Sequence, residues 1–292
     1  MGRGVFLRKK EFYLKTYFDF CSVLCEIESK EKLFYNSRDF KTDKNNYADV
    51  KVNINKVPSF LKADGKYLGR ANEKEAWKDS NTIIRSTTDI CRNEPHAQII
   101  YSKSNCRNID AYIKDDAWPW ATTEKYLWTS LCLNQIMLYF NTLFFHASYI
   151  EVNGCGILFT APSQTGKSTQ AELWRQYRNA EVINGDKAAV RMEKTVTVNS
   201  LPFSGTSGIC KNKTLPLKAI VYLSQAPENT VRRMGASEAV TALCQNVFAD
   251  KLVSEEWSKT LNLLLDLVSN VPIYHLACTP DVRAVEELEK YL

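Results

Sequence analysis

The chain has 292 residues, a formal charge of +5, 45% apolar residues and 24% charged ones. That length allows one large domain or two smaller ones, and the apolar share argues against wholesale disorder. The modest positive charge suits a binder of anionic nucleotides. No nucleic-acid partner is expected, because no Arg/Lys stripe carries interleaved aromatics. In chain order, the opening run MGRGVFLRKKEF is basic but lacks a long apolar core or a small-residue cleavage site, so no secretion signal is expected. Residues 1–94 are polar and lysine-rich. Strands are predicted at Cys21–Ile27, Asp49–Ile54 and Thr82–Arg85, with turn-prone stretches at Asn36–Asn46 and Lys62–Gly69 between them. This reads as a small β-rich accessory module. Ala97–Tyr101 and Asn108–Lys114 read as a hairpin at the start of a second unit, residues 95–292.

After Pro119 the texture changes. Ala121 to Leu143 reads as one long apolar helix, with Thr122 or Thr123 as its cap. Leu127 to Ile150 carries no Asp, Glu, Lys or Arg, a length that could span a bilayer. Thr129, Asn134, Gln135, Asn141 and His146 interrupt it, so it is read as a buried helix running into a strand; no membrane association is expected, and the protein is placed in the cytoplasm. Phe145–Val152, the turn Asn153-Gly154 and Ile157–Thr160 form a predicted hairpin, since Asn-Gly between apolar runs is a strong hairpin signal. A helix follows at Ser168–Tyr177. Strands follow at Glu181–Asn184, Ala188–Met192, Thr195–Asn199 and Lys218–Leu223, then helices at Ser237–Phe248 and Glu255–Val268. A last strand, Ile273–Ala277, leads into the helix Asp281–Tyr291. Hairpins and crossovers together indicate an α/β core with a mixed sheet.

The segment between the Ile157–Thr160 strand and the next helix is Ala161, Pro162, Ser163, Gln164, Thr165, Gly166, Lys167, Ser168 and Thr169. Strand, small-residue loop, then helix is the setting a phosphate-binding loop requires. Backbone N–H groups and the helix dipole would face a β-phosphate. Lys167 would add a point charge, Ser168 would hold Mg²⁺, and Gly166 would let the backbone approach closely. The first Gly of GxxxxGK[ST] is Ala161 here, and a left-handed backbone at that position would strain the loop.

Phe145-His146-Ala147-Ser148, the Asn153-Gly154 hairpin, the APSQTGKST loop and Ile183-Asn184-Gly185-Asp186-Lys187 follow one another at close spacing. In this the chain resembles the HPr kinase-like family, serine kinases with a phosphoenolpyruvate-carboxykinase-like nucleotide site. The stand-alone peptide-tailoring relatives, such as the lasso-peptide kinases, are closest in character. The resemblance covers residues 95–292, and residues 1–94 show no match. It implies a phosphate-loop-containing mixed-sheet kinase core with ATP and Mg²⁺ as cofactors. It places Lys167 on phosphate, Ser168 and Asp186 on the metal, Asp186 as general base and His146 as the group that tunes it. The acceptor it implies is a serine of a peptide or small protein, for instance a ribosomally made precursor peptide. Relatives often carry a double Asp where this chain has Gly185-Asp186. One carboxylate then does the work of two, or Asp186 binds metal and the base lies elsewhere.

From the residues alone, Asp186 reads equally as a solvated turn Asp, and His146 as a core histidine. Pro202–Lys213 is a Gly/Ser loop that could close over a site or be ordinary surface. Adjacent Arg232 and Arg233 face opposite ways on a strand, so at most one could bind an anion. The nine cysteines are scattered and odd in number with no CxxC pair, so reduced thiols are expected; Cys155 and Cys210 are read as structural, and a metal at Cys21 and Cys25 is disfavoured. Kinase action on free serine or another metabolite, and a nucleotide-binding regulator without transfer, stand as alternatives. Homo-oligomerisation is left open.

Overall fold

Alternation of apolar and polar residues builds the first of two eight-stranded sheets. In Val50–Val57, for example, Val50, Val52 and Ile54 are buried while Lys51 and Asn53 face solvent. The computed structural model describes residues 14–35, 39–43, 47–60, 62–89, 91–205 and 207–292. The basic N-terminal run, parts of the turn-prone 36–46 stretch and Thr206 of the Gly/Ser loop lie outside the described residues. The first sheet comprises β1 (Leu14–Phe20), β2 (Val23–Ser29), β3 (Val50–Val57), β4 (Lys66–Ala71), β5 (Lys74–Lys78), β6 (Thr82–Asp89), β7 (Glu94–Ser102) and β8 (Asn108–Lys114). Its order is β1-β2-β3-β8-β7-β6-β5-β4, with β3 parallel to both neighbours and the remaining pairs antiparallel. Residue 94, where the sequence reading set its division, opens a strand inside this sheet.

Two strand predictions need correction. The strand expected through Cys21–Ile27 is broken at its start, because Cys21 and Ser22 take φ of 53° and 62° and make a two-residue hairpin turn. Neither residue carries the Gly or Asn signal of such a turn. The turn-prone stretch Lys62–Gly69 gives way to β4 from Lys66 onward, paired with β5.

The long helix expected over Ala121–Leu143 does not form. Its place is taken by α1 (Trp118–Ala121), α2 (Leu127–Ser130) and α3 (Leu133–Leu138). Thr122 and Thr123 turn their hydroxyls onto the carbonyls of Trp118 (2.8 Å) and Trp120 (2.7 Å), competing with the helical ladder. Cys132 then adopts φ 49°, which ends α2. The broken path lets Trp128 reach the first sheet, where it meets Phe18 and Phe20 edge-on at 4.9 and 4.6 Å between ring centroids. Among the described residues, no helix is long and apolar enough to cross a membrane.

The second sheet begins with β9 (Thr142–Val152) and β10 (Cys155–Thr160), joined at Asn153-Gly154 with φ of 50° and 77°, as Asn-Gly predicts. Then come α4 (Lys167–Arg178), β11 (Glu181–Asn184), β12 (Lys187–Arg191), β13 (Thr197–Ser200), β14 (Thr214–Gln225) and β15 (Thr230–Arg233). The chain finishes with α5 (Ala236–Cys244), α6 (Ser254–Asn270), β16 (Ile273–Cys278) and α7 (Val282–Glu289). The order is β10-β9-β12-β13-β14-β16-β15; β11 adds onto β9, and β10 also pairs with β14. The long strands β9 and β14 change partners along their length: His146 pairs with β12, while Ala147 onward pairs with β10.

The two-residue period sorts side chains onto opposite faces. Leu158 and Ile220 pack with Leu243 and Leu264 of α5 and α6. Ile157, Phe159 and Val221 pack with Ala171, Trp174 and Leu288 of α4 and α7. Because β10, β14 and β16 are mutually parallel neighbours, their C-terminal ends open on one side. A crevice outside strand C-termini is where open α/β sheets bind ligands.

Candidate functional site

The loop 161–166 leaves β10 on that side and enters α4 at Lys167. The left-handed residues in it are Gln164 (φ 64°) and Gly166 (φ 116°), not Ala161. Ala161 is instead fully buried and packs with Trp174 and Val221, so the missing first glycine costs no backbone strain. Pro162, Ser163, Gln164, Ser168 and Thr169 are exposed, and no side chain caps α4. The first-turn N–H groups of the helix therefore face outward as donors, as an anion site requires. The Lys167 side chain is buried, and its ammonium donates to the carbonyls of Ala161 (3.1 Å) and Pro162 (3.3 Å). Burial lowers its pKa, with the charge of Asp186 pulling the other way. Beside the loop, a cleft of about 350 Å³ is bounded by Thr169, Gln170, Gln225 and Thr279, at the ends of β14 and β16.

Asp186 sits in the turn between β11 and β12, against β9. Its carboxylate meets His146 Nε2 at 2.9 Å on one oxygen and the Lys187 ammonium at 2.6 Å on the other. The His146 hydrogen bond, opposed by partial burial and reinforced by Lys187, holds this carboxyl well below the usual carboxylate range. Asn184, fully buried, fixes the turn: its side-chain oxygen accepts from the N–H groups of Asp186 (3.0 Å) and Lys187 (2.9 Å). The carbonyl of Gly185 accepts from Ser148 Oγ (2.8 Å), and Ser168 Oγ of the loop lies 3.5 Å from it. The loop leading into α4 and the acidic turn are thus neighbours.

Changing His146 to Ala should raise the Asp186 pKa toward the ordinary carboxylate value, by removing the largest cause of its depression. A carboxyl-resolved NMR titration would show the midpoint moving upward, and an unmoved midpoint would discount the pairing. The linked stability has a definite sign. A carboxyl depressed in the folded state stabilises above its ordinary pKa, and that contribution disappears as pH falls through and below the ordinary carboxylate range.

The Gly185 departure has a physical reason. A Cβ at position 185 would lie 2.3 Å from Ser207 Oγ, and one at Gly205 would lie 2.8 Å from the Asp186 carboxyl. The Gly/Ser loop therefore lies directly on the acidic turn, and a second carboxylate at 185 has no room beneath it. The loop's lysines turn away: Lys211 bonds Glu181 (2.6 Å), and Lys213 bonds Glu181 (2.8 Å) and Glu151. Arg232 pairs with Glu238 on the surface. Burial raises the pKa of Cys210, which disfavours its thiolate. Burial also pushes the Cys21 and Cys25 thiols up to about 12. Among the described residues, no group of three or more His, Cys, Asp or Glu side chains could hold a metal.

Lys187, the last residue of the Ile183–Lys187 run, could on sequence grounds touch a phosphate or simply lie on the surface. It is neither isolated nor purely surface: besides Asp186, its ammonium stands over the rings of Phe203 (5.7 Å) and Phe248 (5.3 Å). Phe203 and Phe248 were not singled out from sequence.

A solved structure similar to this chain is the Hpr(Ser) kinase/phosphatase from Coxiella burnetii, with 11% identity, a TM-score of 0.31, and coverage of 51% of this chain and 94% of that one. No curated protein matches the sequence. The family model described as SynChlorMet cassette protein ScmC matches residues 126–292, from α2 through α4 and the acidic turn to α7. By that match over more than half its length, the chain belongs to the ScmC family of SynChlorMet cassette proteins.

Proposed function

We propose that this protein is an ATP- and Mg²⁺-dependent kinase with a phosphoenolpyruvate-carboxykinase-like core, transferring the γ-phosphoryl group to a hydroxyl, a serine of a peptide or small protein. The observation that carries the reading is Asp186, held ionised by His146 and Lys187, one residue from the carbonyl that Ser168 of the phosphate loop approaches. Loop and carboxylate come from separate segments, and a solvated turn Asp would need neither partner. The loop's N–H groups and Lys167 suit the phosphates, and the cleft beside Thr169 has room for the nucleoside. Mg²⁺ fits a site offering only Ser168 and Asp186, since it keeps several waters and phosphate oxygens as ligands. In the reaction, the acceptor oxygen forms a bond to the γ-phosphorus as the bond to the β,γ-bridging oxygen breaks. ADP leaves, and Asp186 takes the hydroxyl proton and passes it to solvent. The family's name ties its members to a cassette, so a peptide encoded in that cassette is the acceptor to try first.

Incubation with γ-labelled ATP, Mg²⁺ and serine-containing peptides should give labelled peptide, and Lys167→Ala should abolish the label. Label that persists undiminished in that variant, or none with wild type on peptides or on small hydroxyl metabolites, would overturn the reading.

A further inference from the structure

On the far side of Lys187 from Asp186 lies a second cleft, of about 260 Å³, at the junction of the two sheets. Its walls are aromatic: Trp128 of α2, Phe144 of β9, and Phe203 and Phe248 from two loops. Phe248 is 38% exposed yet rigidly mounted. Its N–H donates to the Phe144 carbonyl (2.8 Å), and its own carbonyl accepts from Asn134 (2.7 Å). Beyond its contacts with Lys187 and His146, the ring still offers exposed surface to a ligand.

Away from Lys187 the cleft is polar. Lys74 at the start of β5 donates to the neutral amide oxygens of Asn134 (3.0 Å) and Gln135 (3.2 Å) and, among the described residues, pairs with no carboxylate. Its neighbour Glu73 lines the same rim. A further depression of about 110 Å³, sharing Glu73, Lys74, Asn134 and Phe248, continues in the same direction toward Asn72 and Asp250. The two together form an elongated groove, which suits an extended chain segment better than a compact small molecule.

We infer that this groove is the acceptor site, and that it binds an extended peptide whose target serine is flanked by a large apolar, preferably aromatic, side chain with an acidic residue beyond it. The inference rests on the kinase reading above for its reacting end. There, Lys187 and Asp186 receive the serine hydroxyl. The apolar neighbour fills the space beside Phe203 and Phe248, over a floor that includes the buried Trp128, where offset and edge-to-face aromatic contacts with the two phenylalanines are available. The carboxylate beyond it supplies the counter-charge that Lys74 lacks. The N-terminal sheet, which contributes Glu73 and Lys74, thereby becomes part of substrate recognition.

The test uses the full chain and a synthetic library of serine peptides randomised on both sides of the serine, with and without ATP and Mg²⁺. Bound and phosphorylated peptides are identified by mass spectrometry for wild type, Phe248→Ala and Lys74→Gln, and urea unfolding midpoints verify that each variant is folded. Wild type should select the serine–aromatic–acidic pattern. Phe248→Ala should weaken binding of those peptides at least tenfold and erase the aromatic preference, and Lys74→Gln should erase the acidic preference alone. Folded variants with unchanged selection, or a wild type that phosphorylates peptides without this pattern, would overturn the groove assignment while leaving the kinase reading intact. Patterned capture without any phosphorylation would overturn the kinase reading and leave the groove. Neither capture nor transfer would overturn both.

Discussion

Changing Asp186 to Asn should slow phosphoryl transfer by about 10²–10⁴-fold, the usual contribution of a positioned general base. Nucleotide affinity should fall by less than about tenfold, since in the proposed site most phosphate contacts would come from backbone N–H groups and Lys167. The substitution preserves shape. Its side-chain oxygen can still meet His146, but the amide cannot take a proton, and the Lys187 ammonium loses the counter-charge now 2.6 Å away. Lys167→Ala should show the opposite emphasis, with nucleotide binding weakened first. Single-turnover rates with calorimetric nucleotide affinities would separate the two variants. An Asn variant within threefold of the wild-type rate would remove Asp186 from the chemistry; a wild type that binds nucleotide but transfers to no acceptor would favour a regulator.

What the sequence made legible was local. The strand, small-residue loop and helix around Lys167 are set by consecutive residues, and the Asn153-Gly154 turn by a dipeptide. The pairing of His146 with Asp186 could be suspected from the order of their motifs, and strand pairing between β9 and β12 puts it within bonding distance. What stayed hidden depends on distant partners. Phe203 and Phe248 gain meaning only because two separate loops converge on Lys187. Gly185 reads as a lost carboxylate until Ser207 is seen packed on it. The segment 121–143 has a largely apolar texture, yet threonine hydroxyls and a left-handed Cys132 divide it. Side-chain competition for backbone groups outweighs helix propensity there, and burial against the first sheet compensates.

Replacing Arg85 with Met should destabilise the protein by about 3–5 kcal/mol, the cost of leaving buried charge unpaired. Arg85 is 1% exposed and comes from β6 of the first sheet. It binds Asp250 (2.8 Å), between α5 and α6, and Glu256 of α6, and donates to Tyr101 (2.8 Å), which in turn donates to Glu256 (2.7 Å). Without the guanidinium, two carboxylates remain with only neutral donors, among them Gln135 and Tyr139. Urea unfolding of Arg85→Met checks the size of the loss, and adding Glu256→Gln should recover part of it. A change below about 1 kcal/mol would mean that the network is not what joins the two sheets. The consequence reaches the groove, because Asp250 follows Phe248 by two residues. If Arg85 anchors that segment, Arg85→Met should also weaken peptide selection at the aromatic position while leaving nucleotide affinity unchanged.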